Sequence, residues 1–152
     1  MSNQPSLREQ IAENIEQTLA NLSDPKPILV TREPFEVEKL AITQFPAILI
    51  QFGQEQRDTT TMSTNGRRQG TILFTIRGFV RGTELDSRRN QLIDAIETAL
   101  DSDRYRNLKT TIDGNGVMNS QVTVIEVIPR LPPLAEVVIT FQVRYHYVRG
   151  SA

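Results

Sequence analysis

An α+β fold, with two helices packed on one face of a mainly antiparallel sheet, is what this sequence predicts, and three observations carry the prediction. Two segments, Leu7 to Leu22 and Leu85 to Leu100, space their apolar residues by three and four, which puts them on one face of a helix. Each is followed by a pair of runs rich in β-branched and aromatic residues, so the order of main elements is α-β-β-α-β-β. The first pair is separated by a long polar stretch, which predicts a protruding β-hairpin. Two amphipathic helices and four main strands satisfy one another in two layers. The chain of 152 residues is expected to be a single domain, with a core over about 7–148 and a polar arm over about 54–69.

The first helix has a written start. Pro5 precedes Ser6, which serves as N-cap, and Glu9 follows three residues later in the capping-box arrangement. Leu7, Ile11, Ile15, Leu19 and Leu22 form its apolar face. It stops before Asp24-Pro25-Lys26-Pro27, where each proline lacks an amide donor and disfavours helix in its predecessor. From Ile28 to Thr43 the pattern weakens, and the expectation is irregular chain with short β pieces, interrupted at Pro34.

The central hairpin reads FPAILIQFGQEQRDTTTMSTNGRRQGTILFTIRGF, from Phe45 to Phe79. Its second strand places Ile72, Phe74, Ile76 and Val80 on one face and Leu73, Thr75, Arg77 and Phe79 on the other. The first set should meet the helices. The second, being mixed, is expected to be buried only in part or only on assembly. Asn65-Gly66 suits the positive φ angles of a type I′ turn, although the apolar runs are not symmetric about it, so it reads equally as a loop tip. Between Gln54 and Gln69 the one sizeable apolar side chain is Met62. Arms of six or seven residues at about 3.3 Å each reach roughly 20 Å beyond a core shared by the inner halves. A bare two-stranded ribbon is marginal in water, so the arm either stays mobile or is ordered by a neighbour, another copy of the chain included.

After Gly82 the period becomes helical. Leu85, Leu92, Ile93, Ile96, Ala99 and Leu100 form the stripe, Thr83 is the expected N-cap, and Arg88 and Arg89 fall off the stripe as solvated residues. Ser102 to Ser120 reads as polar and turn-rich; its Asp113-Gly114-Asn115-Gly116 lacks the further acids of a calcium loop. Val122 to Ile128 is a β-branched strand. Ala135 to Val148 is a longer one, with Val137, Ile139, Phe141, Val143, Tyr145 and Tyr147 on one face. Pro129 to Leu134 connects them as a stiff loop whose leucines are available to a partner.

Composition narrows the function classes. Apolar residues make up 38% and charged residues 23%, with a formal net charge of -1, so no overall electrostatic device for nucleic acid is written in the sequence. The absence of cysteine removes disulfides, thiolate nucleophiles and thiolate metal sites. The opening MSNQPSLREQ has no signal-peptide character, and no apolar run approaches the roughly 20 residues of a membrane span, so a soluble, unexported chain is expected. The single histidine, His146, lies on the polar face of the last strand. No nucleophile-elbow serine or glycine-rich phosphate loop is present. Asp94, Glu97 and Asp101 recur at helical spacing, but such acids usually form a solvated face. No catalytic, cofactor-binding or metal-ligating residue is therefore expected. The rival reading is nucleic-acid binding, through Arg57, Arg67, Arg68, Arg77 and Arg81 of the hairpin; Glu55 and Asp58 dilute that charge.

In order of elements and in texture the chain resembles the tail terminator, or tail completion, proteins of long-tailed bacteriophages. The likeness lies in LREQIAENIEQTLANL, in FPAILIQFGQEQ paired with TILFTIRGFVRG across a polar loop, in RRNQLIDAIETAL, and in QVTVIEVIPRLPPLAEVVITFQVRYHY. It covers about Leu7 to Tyr147 and brings no catalytic signature. It implies a structural virion protein, assembled in the host cytoplasm, that forms a homo-oligomeric ring, commonly a hexamer, at the head-proximal end of the tail tube. Such a ring stops tube polymerisation and joins the tail to the head-tail connector or neck protein, with tail-sheath contact in some tails. DNA passes through the ring without sequence-specific binding, and no cofactor or membrane is involved. Another neck or head-to-tail adaptor is the alternative. On this hypothesis the sheet edges or the 54–69 arm pair with adjacent subunits and the tail-tube protein meets one ring face; the subunit or partner contacts are Arg57, Met62, Asn65, Gly66, Arg67 and Arg68 of the arm, with Leu131 and Leu134 of the loop.

Overall fold

The computed structural model describes residues 6–58, 67–108 and 115–148; the Arg67 side chain is outside it. Met62, Asn65 and Gly66 lie outside the described residues. The elements are α1 (Leu7–Ala20), β1 (Leu29–Thr31), β2 (Ala47–Arg57), β3 (Arg67–Arg81), α2 (Leu85–Asp101), β4 (Gly116–Ile128) and β5 (Leu134–Val148), with short 3-10 turns at Val37–Lys39 and Ile42–Gln44. The predicted α+β class is what the chain adopts. The sheet runs β1-β2-β3-β5-β4, antiparallel throughout except for β1 beside β2.

Both helices cover the same face. Leu7, Ile11, Ile15 and Leu19 of α1 and Leu92, Ile96 and Leu100 of α2 are buried against Ile48, Ile50, Ile72, Phe74, Ile76 and the inward residues of β5. Each such side chain contributes about 1.5–3 kcal/mol on leaving water, which is what holds to the sheet two helices of 14 and 17 residues that are marginal in isolation. Gly78 lets α2 settle closely: a Cβ there would stand 2.8 Å from Leu92 Cδ2.

The caps divide. Ser6 Oγ accepts from the Glu9 amide at 3.2 Å, as the capping box predicts. The Glu9 carboxylate is committed elsewhere, accepting two bonds of 2.8 Å from Arg32. At α2 the expected N-cap is displaced: Glu84, in the left-handed region at φ 52°, precedes the helix with no side-chain cap bond, while Thr83 offers its carbonyl to Arg88 Nε at 2.6 Å. Arg89 is likewise not solvated. Its side chain is mostly covered and pairs with Asp86.

The C-terminus of α2 is closed by a buried arginine. Arg106 is fully buried; its Nε donates to the Asp103 carbonyl at 2.8 Å, and its guanidinium also reaches the Leu100 carbonyl. Leu100 belongs to the last turn, whose carbonyls lack intrahelical donors, and Asp103 lies in the turn just past the helix end. Burial pulls the Arg106 pKa down, against the attraction of Asp103 and Asp101.

The second face of the sheet is neither bare nor waiting for a partner at its inner end. The segment between β1 and β2 folds back over it, so that Val37, Ala47, Leu49 and Phe79 form a smaller cluster flanked by Phe35, Leu40 and Phe45. Leu134, expected in the connecting loop, opens β5 and packs on this cluster. β4 also starts six residues before the β-branched run: Gly116–Ser120, expected to be loop, pairs with β5, and the Val117 amide bonds to the Leu108 carbonyl at 2.5 Å.

Candidate assembly interface

The root of the hairpin arm is built from three strands, which corrects the expectation of a bare ribbon. β3 pairs with β5 over its full length, from Arg67 opposite Val148 to Arg81 opposite Leu134, so the outer half of β3 has a partner on each side. Arg57, Gly70 and Tyr145 stand side by side on β2, β3 and β5. Gly70 is required here, because the Tyr145 ring lies where its Cβ would be.

Polar groups converge on that ring. Glu55, whose side chain is 11% exposed, receives Arg8 Nε from α1 at 2.6 Å and pairs with Arg57 Nε at 3.3 Å. Tyr145 Oη donates to Glu55 and accepts from Arg57 Nε at 3.1 Å. The Arg57 guanidinium stacks over the Tyr147 ring, 4.3 Å from its centroid. Burial opposes ionisation of Glu55, yet the bonds from Arg8, Tyr145 and Arg57 outweigh it and hold the carboxyl below the usual range. Burial, then the bond to Glu55, pushes Tyr145 up to about 12. The cluster ties α1, β2 and β5 together at the root, as a structural clamp.

Of the arm residues singled out from the sequence, Arg57 sits inside this clamp. Arg68 stands opposite Tyr147 on the helix-bearing face, and Arg67 opens β3 in register with Val148. Arg77 and Arg81 lie on the face opposite Arg68, and Arg77 pairs with buried Glu136 at 3.3 Å. The hairpin arginines are thus divided between two faces and partly engaged, not gathered into one basic ribbon.

The loop after β4 is fixed from the second face. Arg130 Nε meets Glu136 at 2.6 Å, its Nη1 meets Glu38 at 3.0 Å, and the guanidinium lies 5.7 Å from the Phe79 centroid. Leu131 is held 86% exposed at the loop's crest, whereas Leu134 is drawn inward.

Both sheet edges are open; the sheet edges are among the pairing surfaces expected from the sequence, and the strand order shows which strands form them. β4 is terminal in the sheet, and from Gln121 to Val127 nearly every residue is exposed, with Val124, Ile125 and Val127 between 41% and 53%. At the other edge β1 covers β2 only from Ala47 to Leu49. Beyond Leu49 no strand among the described residues pairs with that side of β2. A groove of about 630 Å³ lies there beside α1, floored by Ile50, Phe52 and Phe74 and rimmed by Arg8, Glu9 and Arg32. Gly53 forms a bulge in this stretch, where a Cβ would stand 2.9 Å from the Leu73 carbonyl oxygen.

Among the described residues no three His, Cys, Asp or Glu side chains are grouped to hold a metal ion, and no helix is long and apolar enough to cross a membrane. No protein-family model and no curated protein matches the chain. A solved structure does: a chain described as "Virion of native gene transfer agent (GTA) particle" is similar over 93% of this chain and 96% of its own, with a TM-score of 0.51 and 10% identity. The two chains share a fold, nearly end to end.

Proposed function

We propose that this chain is a structural virion protein, a tail terminator that forms a ring at the head-proximal end of a tail tube, stops its polymerisation and presents a docking surface to the head connector. The observation that carries the reading is the fold held in common with a chain of a gene transfer agent virion over almost the whole of both. The sequence resemblance to tail terminators points the same way. Two open sheet edges and an exposed apolar loop crest on a chain of 152 residues support a protein made for assembly. In this reading the charged clamp at Glu55 and Tyr145 is structural and the chain catalyses nothing. The partners are further copies of the chain, the tail-tube protein and a connector or neck protein. Arg68, Leu131 and the 59–67 segment are contact residues, while Arg57 acts by holding the arm's root.

Light scattering of the purified protein over a concentration series, with and without tail-tube protein, tests the reading. A discrete particle of about six subunits is expected, alone or on the tube end. A strict monomer under both conditions overturns it. A ring that binds connector but leaves tube growth unchanged replaces the terminator by a neck adaptor.

A further inference from the structure

The two open edges of the sheet differ in a way that suits them to each other. On β4, Ile125 and Val127 stand opposite Ile139 and Val137 of β5, both of which are fully buried under the helices. Ile125 and Val127 therefore continue the apolar layer of the helix-bearing face past the place where the helices end. They are 41% and 48% exposed. At the far edge the groove beside α1 opens on that same face. Its floor residue Phe52, 50% exposed, leans on Phe74 of the same apolar layer. One edge is thus a projecting, mostly apolar strand, and the other a trough with an apolar floor and a charged rim, beside a stretch of β2 that no described strand pairs.

Strand direction agrees with this fit. β2 and β5 run one way and β3 and β4 the other. A second copy placed beside the first in the same orientation sets its β2 antiparallel to the first copy's β4. Its α1 then lies over the exposed Ile125 and Val127. Antiparallel addition of an extended strand to an open edge supplies main-chain hydrogen bonds, and the alternate side chains fill the trough. A pairing of two unlike edges leaves one of each free, so it propagates, and it closes when the rotation per step divides a circle. A long, β-branched, exposed edge left uncovered is an aggregation hazard, so it calls for a defined occupant.

We infer that the occupant of the groove beside α1 is the β4 edge strand, residues 121–128, of a second copy of this chain, joined head to tail. The inference rests on the self-assembly part of the proposed function and not on tube capping.

The chain has no cysteine, so introduced thiols are unique. Phe52→Cys and Ile125→Cys, singly and together, are treated with a short bismaleimide at the highest soluble concentration. The double variant should give a ladder of trimers and higher species, with both single variants remaining uncrosslinked. Val127→Lys, at a half-exposed position, should raise the concentration for half-assembly about tenfold or more, leaving the unfolding midpoint nearly unchanged. Dimers from Ile125→Cys alone indicate a two-fold β4 pairing and overturn the inference. So does a persistent monomer, or an oligomer that the paired cysteines fail to link. A ladder from a protein that does not cap tubes upholds the interface and rejects the terminator. A capping ring without the ladder does the reverse.

Discussion

Replacing Gly70 by alanine puts a methyl group into the space of the Tyr145 ring, in the middle strand of the arm's root. The ring is held by Glu55 and Arg57 and has little freedom to retreat, so Gly70→Ala should lower stability by about 1–3 kcal/mol in denaturant unfolding. Tyr145 itself gives a pH signature. Its phenol is raised from 10.0 to about 12, so folding favours the neutral form. The corresponding stability is complete below pH 10 and is lost as pH rises from there through about 12. A phenolate absorbance titration should therefore show a late component that is absent in Tyr145→Phe. Glu55 has the opposite sign. Its depressed carboxyl contributes stability that is present above the unfolded value and lost as pH falls through the folded one, so Glu55→Gln should flatten the acid limb of the stability profile. None of this clamp was legible in the sequence beyond Arg57, because Arg8, Glu55 and Tyr145 are brought together by strand order, which local periodicity does not encode.

Among the elements, those with strong local periodicity were legible and those created by pairing were not. α1, α2 and the two faces of β5 follow from the spacing of apolar residues, which burial of Ile11, Ile15, Ile96 and Phe141 bears out. Gly116–Ser120 carries turn-like residues yet joins β4, because β5 extends far enough to pair with it. β1, expected among the short β pieces that follow Ile28, is three residues long and is held by Ala47–Leu49 of β2. The run VTVIEVI is legible as a strand but not as an edge, since composition says nothing about which strand ends a sheet. At this scale the arm makes a separable prediction. Deleting Thr59 to Thr64 leaves every described strand pair in place, so the unfolding midpoint should change little while the assembled mass falls. An unchanged oligomer mass contradicts a role for the arm in assembly.

At the scale of the whole molecule, a two-layer α+β unit carries one closed face under its helices, one partly covered face behind them, and two open edges. Such a unit is stable by its own core and incomplete at its sides, the combination that a ring subunit needs. The measurement that tests the proposed function most directly is electron microscopy of tail-tube protein polymerising with and without the purified chain. Short tubes with an added ring at one end, their length set by the ratio of the two proteins, are the predicted result. Tubes that grow to the same length with bare ends at every ratio would contradict it.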